Sequence, residues 1–128
     1  MTRRPRKRKL PFDQRGGVIV FPQRMMKSDA YQQLRPQEKV LLLLLQLHWR
    51  AGADIPVDYG IREAADKIPC SRAIAMKAFK NLADKGFITC VEESMFSSRT
   101  QSKARGWRLE WLPFGEDKPT NYWEKSRD

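Results

Sequence analysis

The segment that begins at Ser71 has apolar residues at the three- and four-residue spacing of one helical face. Serine often caps the start of a helix, and Gly86 suits the end because glycine readily adopts a positive φ. The spacing therefore predicts a helix from Ser71 to Lys85. Its apolar side consists of Ile74, Ala75, Ala78, Phe79 and Leu82. Its opposite side is basic and carries Arg72, Met76, Lys77 and Lys80.

Apolar patterning predicts three helices and one strand before this segment. Ser28 caps a short helix, and Pro36 begins a leucine-rich helix that ends near Gly52. Leucine occurs on nearly every side of the second helix, so it should be the most buried. Residues 61–68 have the spacing of a short amphipathic helix, and a tight turn joins it to the next one as a helix-turn-helix. The run Val18–Pro22 predicts a short strand.

Alternating residues predict two strands after Gly86. The first covers residues 87–93, and a polar, flexible stretch over residues 94–103 separates it from the second, residues 104–112. The two strands form a hairpin whose tip is basic. In the second strand, Trp107, Leu109 and Trp111 share one face, while Arg108 and Glu110 lie on the other.

The order of these elements predicts an α+β winged helix-turn-helix, with a helical core and a C-terminal β-hairpin wing. Residues 1–17 are expected to be a disordered, flexible basic arm because they contain few apolar side chains. Residues 18–112 form the domain. Residues 113–128 form a polar C-terminal tail whose anchors on the domain would be Phe114, Tyr122 and Trp123.

The positive charge of the chain is concentrated in two places. The net charge is +10 and the pI is about 10.0. Residues 1–15 contain seven basic side chains and one acidic one, and residues 71–85 contain four basic and one acidic. Residues 51–70 and 113–128 each have more acidic than basic side chains. Such a distribution favours a polyanionic partner, either nucleic acid or an acidic membrane surface.

A helix with a buried back can place its basic front in the major groove of double-stranded DNA. Arg72 suits a bidentate bond to guanine, and Ser71 with nearby backbone amides suits a phosphate. The wing would reach the backbone or minor groove, and the arm would add phosphate contacts. An ordinary solvated basic face would give the same helix pattern. The predicted DNA-binding residues are Ser71, Arg72, Ala73, Met76, Lys77, Lys80, Arg99 and Lys103, with Arg3, Arg4, Arg6, Lys7, Arg8 and Lys9 in the arm.

The sequence predicts neither a catalytic site nor a metal or cofactor site, and no enzyme is expected. His48 is the only histidine and has no recognisable Ser or Cys partner. Cys70 and Cys90 lack the spacing of zinc ligands and are expected to be free thiols, although a disulfide between them stays open. Glu63 and Asp66 are the nearest approach to a carboxylate pair, and the pattern around them is typical of a solvated helix face.

The chain is expected in the cytoplasm, without a membrane partner. Its longest apolar run, Val40–Leu47, is much shorter than the roughly 20 residues that span a bilayer. The basic N-terminus lacks the apolar segment that follows it in a signal peptide.

Three segments resemble a known family. They are REAADKIPCSRAIAMKAFKNLADKGFI (residues 62–88), ARGWRLEWLPF (residues 104–114) and KPTNYWEK (residues 118–125). They are similar to small winged helix-turn-helix proteins of proteobacterial prophages and integrated mobile elements. The resemblance runs from about Gly17 to Lys125. It implies a winged-helix fold and a DNA-binding or replication-associated role.

Three functions fit these observations. The first is a DNA-binding protein of a mobile element that acts in transcription or replication control. The second is a replication initiator or loader that recruits a helicase, without a motor of its own because no phosphate-binding glycine-lysine loop is present. The third is an adaptor or antagonist that binds a host protein. The sequence leaves a homodimer open.

Overall fold

The computed structural model describes residues 10–125, in which short helices pack around a three-stranded sheet. The helices are α1 (Gln23–Met26), α2 (Asp29–Gln32), α3 (Pro36–Gln46), α4 (Ile61–Lys67) and α5 (Arg72–Asp84), with a 3-10 helix (Tyr122–Lys125) at the end. The strands are β1 (Val57–Tyr59), β2 (Ile88–Ser97) and β3 (Ser102–Leu109).

Three helices begin at caps formed by side chains at their own N-termini. The hydroxyl oxygens of Ser28 and Ser71 each accept a hydrogen bond from the backbone N–H three residues later, at 3.2 and 3.1 Å. At the start of α3, the Glu38 carboxylate accepts a bond from the backbone N–H of Arg35 at 2.9 Å. Such bonds satisfy donors that a helix terminus leaves without intrahelical partners. The predicted helix starts at Ser28, Pro36 and Ser71 are therefore confirmed.

The end of α3 and the chain before α1 differ from the prediction. Helix α3 ends at Gln46 rather than near Gly52. The side chain of Gln46 donates to the backbone oxygen of Val20 at 3.1 Å and accepts from the indole of Trp111 at 3.0 Å. The predicted strand Val18–Pro22 is wrong, because this extended chain is bonded to a helix side chain and has no strand beside it.

The core lies between α3, α5 and one face of the sheet. Ile74, predicted in the core, is instead 41% exposed, because it lies at the edge of the apolar stripe of α5. Leu43 and Leu47 are also exposed, so α3 is not buried all round. Four further apolar residues of the predicted leucine-rich and amphipathic helices are only partly buried: Leu44, Ile61, Ala65 and Ile68. The fully buried set includes Leu41, Leu42, Leu45, Ala75, Ala78, Phe79, Leu82, Ile88, Trp107 and Leu109.

The sheet is antiparallel with the strand order β1–β3–β2. The β2–β3 hairpin is called the wing below. Its strands pair as far as Ser97 and Ser102, so only residues 98–101 form the turn. The prediction of a flexible stretch over residues 94–103 is therefore wrong for its two flanks. Close packing favours glycine at position 106 of β3, since a Cβ there would lie 2.9 Å from the Cβ atoms of both Glu92 and Pro56.

The chain after β3 returns to the domain instead of forming only a polar tail. Trp123, one of the predicted anchors, is buried, and its ring stacks on Phe87 with centroids 6.3 Å apart. Tyr122 is half exposed. Gly86 has φ +84°, and a Cβ there would lie 2.7 Å from the backbone carbon of Tyr122. Glycine thus permits both the end of α5 and the close approach of the returning chain.

This return also buries Glu110, which the alternating pattern placed opposite Trp107, Leu109 and Trp111. The carboxylate of Glu110 accepts a hydrogen bond from the Thr120 hydroxyl and lies 3.4 Å from the Nε atom of Arg108. The backbone oxygen of Glu110 accepts a bond from the N–H of Asn121 at 2.9 Å. The covering segment lies ten residues further along the chain and is not part of the sheet, so alternation within the strand gives no sign of this burial.

The fold is α+β, and its element order is compatible with a winged-helix-like architecture. Helix α4, a short turn and α5 precede the wing, while β1 joins the far edge of the wing to form the sheet. Within residues 10–125, no helix has the length and apolar character needed to cross a bilayer.

Candidate nucleic-acid interface

The front of α5 is the side that faces away from the core, opposite the buried Ala75, Ala78, Phe79 and Leu82. Burial of that back fixes α5 on the domain and leaves its other side accessible. The front consists of Arg72, Ala73, Met76, Lys77 and Lys80, all of which are exposed. The structure thus brings the five residues predicted within this helix onto one exposed surface.

The N-terminus of α5 adds hydrogen-bond donors beside this surface. Ser71 is exposed and its oxygen accepts from the N–H of Ile74, so its hydroxyl hydrogen can still be donated. The first backbone N–H groups of a helix have no intrahelical acceptor, and the helix dipole favours an anion there. The predicted phosphate contact at Ser71 is therefore chemically consistent with this geometry.

Two of the three basic side chains on the front lack a partner within the described part of the chain. Arg72 and Lys77 form no hydrogen bond or ion pair with any other residue between 10 and 125. Lys80 lies 3.3 Å from the carboxylate of Asp84, one turn later, and both side chains are well exposed. Exposed pairs of this spacing contribute only about 0.3–0.5 kcal/mol, so Lys80 can exchange its partner for a phosphate.

A buried carboxylate fixes the position of α5 relative to α3. Glu38 accepts from the Asn81 side-chain amide at 2.8 Å while also capping α3. Beside this bond, a groove of about 270 Å³ is lined by Arg35, Lys77 and Lys80 among others. Sequence analysis missed Arg35, because only the packing of α3 on α5 brings its side chain next to the basic front.

The two predicted basic residues of the wing, Arg99 and Lys103, have different surroundings. Lys103 is exposed near the turn. Arg99 lies in the turn, but its guanidinium is bonded to Asp58 on β1 and Glu63 on α4, and its contact with DNA stays a prediction. These acidic partners lie 41 and 36 residues earlier in the chain, so no local pattern indicates the pairing.

The rest of the wing surface has mixed charge. Arg105 Nε lies 3.7 Å from a carboxylate oxygen of Glu93, and both side chains are largely exposed. Glu92 is exposed nearby, and the Phe96 side chain is 64% exposed. The wing is therefore less basic than the front of α5 and offers an apolar side chain as well.

A separate cleft of about 1060 Å³ lies between the end of α3, α4 and the wing. Burial lowers the pKa of His48, and the positive charge of Arg99 lowers it further. Burial also raises the pKa of Tyr59 to about 12. Cys70 and Cys90 are free thiols, and no cluster of His, Cys, Asp or Glu within the described chain is arranged to hold a metal ion.

The predicted arm contacts lie outside the described residues. They are Arg3, Arg4, Arg6, Lys7, Arg8 and Lys9, and their role stays a prediction. Arg15, within the described part, is bonded to Asp13 at 3.0 Å. That bond lowers the pKa of Asp13, so both groups remain charged over the neutral range.

Comparisons of the chain with protein-family models, curated proteins and solved structures find no match. Geometry and charge therefore carry the functional argument.

Proposed function

We propose that the chain is a winged helix-turn-helix protein that binds double-stranded DNA, with α5 as the recognition helix. In this proposal the front of α5 enters the major groove, whose width of about 12 Å admits one helix. Arg72 reads a base edge, Lys77 and Lys80 bind phosphates or bases, and Ser71 binds a phosphate. Lys103 of the wing contacts the neighbouring backbone, and the basic arm adds contacts that carry no sequence information.

The observation that carries the proposal is the exposed basic front of a helix whose back is anchored in the core. Arg72 and Lys77 project from α5 without an acidic partner among residues 10–125. A rigid helix with accessible guanidinium and ammonium groups can read base edges without first rearranging the domain. The net charge of +10 would further favour association with a polyanion.

The process served by this binding is proposed to be transcription or replication control of a mobile element, in the cytoplasm. The resemblance of residues 62–88 and 104–114 to small prophage proteins supports this setting. A replication initiator or loader that recruits a helicase would use the same DNA-binding front. It would need a second, protein-binding surface, which a helicase capture assay would reveal.

A second candidate is a protein-binding adaptor or antagonist of a host system. The observation that favours it is the apolar character of part of the same region. Met76 on the front of α5 is 55% exposed, and Ile74 and Phe96 are exposed as well. Met and aromatic side chains are enriched at protein interfaces, so a protein partner could dock on this surface. A thymine methyl group would be the DNA counterpart for Met76.

The experiment that separates these candidates is a selection of random duplex DNA by the full chain at two salt concentrations. We expect an enriched site whose affinity falls steeply with salt. Deleting residues 1–9 should reduce the slope of log affinity against log salt by roughly 3–5 units while the preferred site stays the same. The alanine variant of Lys118, exposed in the segment after β3, serves as the control for loss of one surface charge. Recovery of no enriched sequence would contradict the proposal and favour the adaptor.

A further inference from the structure

We propose that Arg99 is a positioning residue that holds the wing against β1 and α4, and thereby sets the angle between the wing and DNA bound at α5. This inference rests on the proposed function, because it gives the wing a place at the DNA. It assigns Arg99 a contact within the protein in place of a phosphate. The Arg99 cluster consists of Arg99, Asp58, Tyr59 and Glu63.

The guanidinium of Arg99 bonds to two elements outside the wing. Its Nη1 donates to Asp58 Oδ1 at 3.2 Å, and its Nη2 donates to the backbone oxygen of the same residue. Nη2 also donates to Glu63 Oε1 at 3.1 Å, and Nε donates to Glu63 Oε2 at 3.4 Å. All three nitrogens are used, and one side chain thus joins the turn of the wing to both β1 and α4.

The turn has no other hydrogen bond to the body of the domain within the described residues. Gln101 donates to the backbone oxygen of Ser98, and the hydroxyls of Thr100 and Ser102 bond to each other. These bonds close the turn but do not orient it. Loss of the Arg99 bonds would therefore leave the far end of the wing attached only through its own two strands.

The cluster is linked by direct contacts to the back of α5. The guanidinium lies over the ring of Tyr59, 5.7 Å from its centroid. The backbone oxygen of Tyr59 accepts a hydrogen bond from the Trp107 indole at 3.1 Å. The Trp107 ring stacks on Phe79 of α5, with centroids 5.0 Å apart and planes 15° from parallel. The position of the wing is thus defined relative to the helix that would read DNA.

Partial burial makes a move of Arg99 to a phosphate unfavourable. The side chains of Arg99, Asp58 and Glu63 are only 29%, 22% and 11% exposed. Removing the guanidinium would leave two partly desolvated carboxylates without their cation, which costs more than separating an exposed pair. The geometry therefore favours Arg99 staying in its cluster when DNA binds.

The negative charge of Glu63 and its contact with Arg99 predict opposite effects of Glu63→Ala on DNA affinity. If only charge mattered, Glu63→Ala would raise DNA affinity, because it removes a negative charge. If Arg99 positions the wing, Glu63→Ala and Arg99→Met should both lower the affinity, by roughly three- to tenfold. The matched controls are Glu93→Ala and Arg105→Met, which break an exposed ion pair on the same wing. Glu93→Ala should leave the affinity unchanged or raise it.

Hydrogen–deuterium exchange of the free protein tests the attachment without DNA. Exchange at the paired amides of residues 95–104 should become faster in Glu63→Ala and Arg99→Met, but not in the two controls. Unchanged exchange in both cluster variants would overturn the attachment. Faster exchange combined with a higher DNA affinity of Glu63→Ala would overturn the positioning role. Failure of the wild-type chain to bind any duplex would contradict the proposed function and the DNA role of Arg99, while exchange would still decide whether Arg99 holds the wing.

Discussion

The front of α5 and the turn of the wing contain the same kind of residue in opposite environments. Arg72 on α5 is exposed and has no partner among residues 10–125, whereas Arg99 in the turn is bonded to two carboxylates. Both arginines fall in exposed, basic-looking stretches of sequence. The difference teaches that a basic residue near a predicted DNA surface can be held by partly buried acidic groups that the fold brings to it from distant parts of the chain.

The largest expected effect tests whether the back of α5 anchors the front. Leu82 is fully buried, so Leu82→Ala should lower the free energy of unfolding by roughly 2–5 kcal/mol. The variant Ile74→Ala, on the same helix but at the edge of the apolar stripe, should lower the free energy of unfolding much less. Urea denaturation of the two variants measures the difference. Equal losses at both positions would contradict the division of α5 into a buried back and an exposed front.

A smaller effect separates base contact from phosphate contact on the front. Arg72→Ala should weaken binding to the selected site by about 1–3 kcal/mol and relax the preference at one base position. Lys80→Ala should weaken all sequences similarly, because a phosphate contact carries no sequence information. Competition binding with matched and single-mismatch duplexes provides the measurement. If neither variant changes duplex binding, α5 does not read DNA and the adaptor gains support.

Local sequence signals predicted α2, α3, α4, α5, the hairpin and the exposed front, because capping and periodicity depend on neighbouring residues, whereas α1 was not predicted. Ser71 and Gly86 bracket α5 within their own segment. The pairing of Arg99 could not be predicted, since its partners come from β1 and α4. The anchoring of Trp123 was predicted from an aromatic side chain in a polar segment, whereas the burial of Glu110 under the same returning chain has no local signal. Hydrophobic periodicity likewise placed Ile74 on the apolar face of α5, but it does not show how much of that face is covered by α3.

The smallest expected effect uses His48 as a reporter of the Arg99 cluster. Its pKa is lowered in the folded state by burial and by Arg99, so the unfolded chain binds more protons below the ordinary value of 6.5. The stabilising contribution of neutral His48 is therefore present above pH 6.5. It is lost as the pH falls toward the lowered pKa that His48 has in the folded state. His48→Gln should flatten this decrease in urea denaturation series across that range.

The variant Arg99→Met tests the effect of Arg99 on His48 directly, because it removes a positive charge that lowers the pKa of His48. The pKa of His48 should rise in this variant, and NMR can follow it without ambiguity since the chain has one histidine. Lys103→Met, at an exposed position of the wing, is the matched control and should leave the titration unchanged. Identical titrations in wild type and Arg99→Met would place the guanidinium away from the cleft.

The salt dependence of DNA binding tests most directly whether the front of α5 contacts phosphates while Arg99 does not. The measurement is the slope of log affinity against log salt for wild type, Lys77→Ala and Arg99→Met on one selected duplex. Lys77→Ala should reduce the magnitude of the slope by about 1. Arg99→Met should lower the affinity but leave the slope unchanged, because its charge is already balanced within the protein. A slope reduced by Arg99→Met and unchanged by Lys77→Ala would contradict the account.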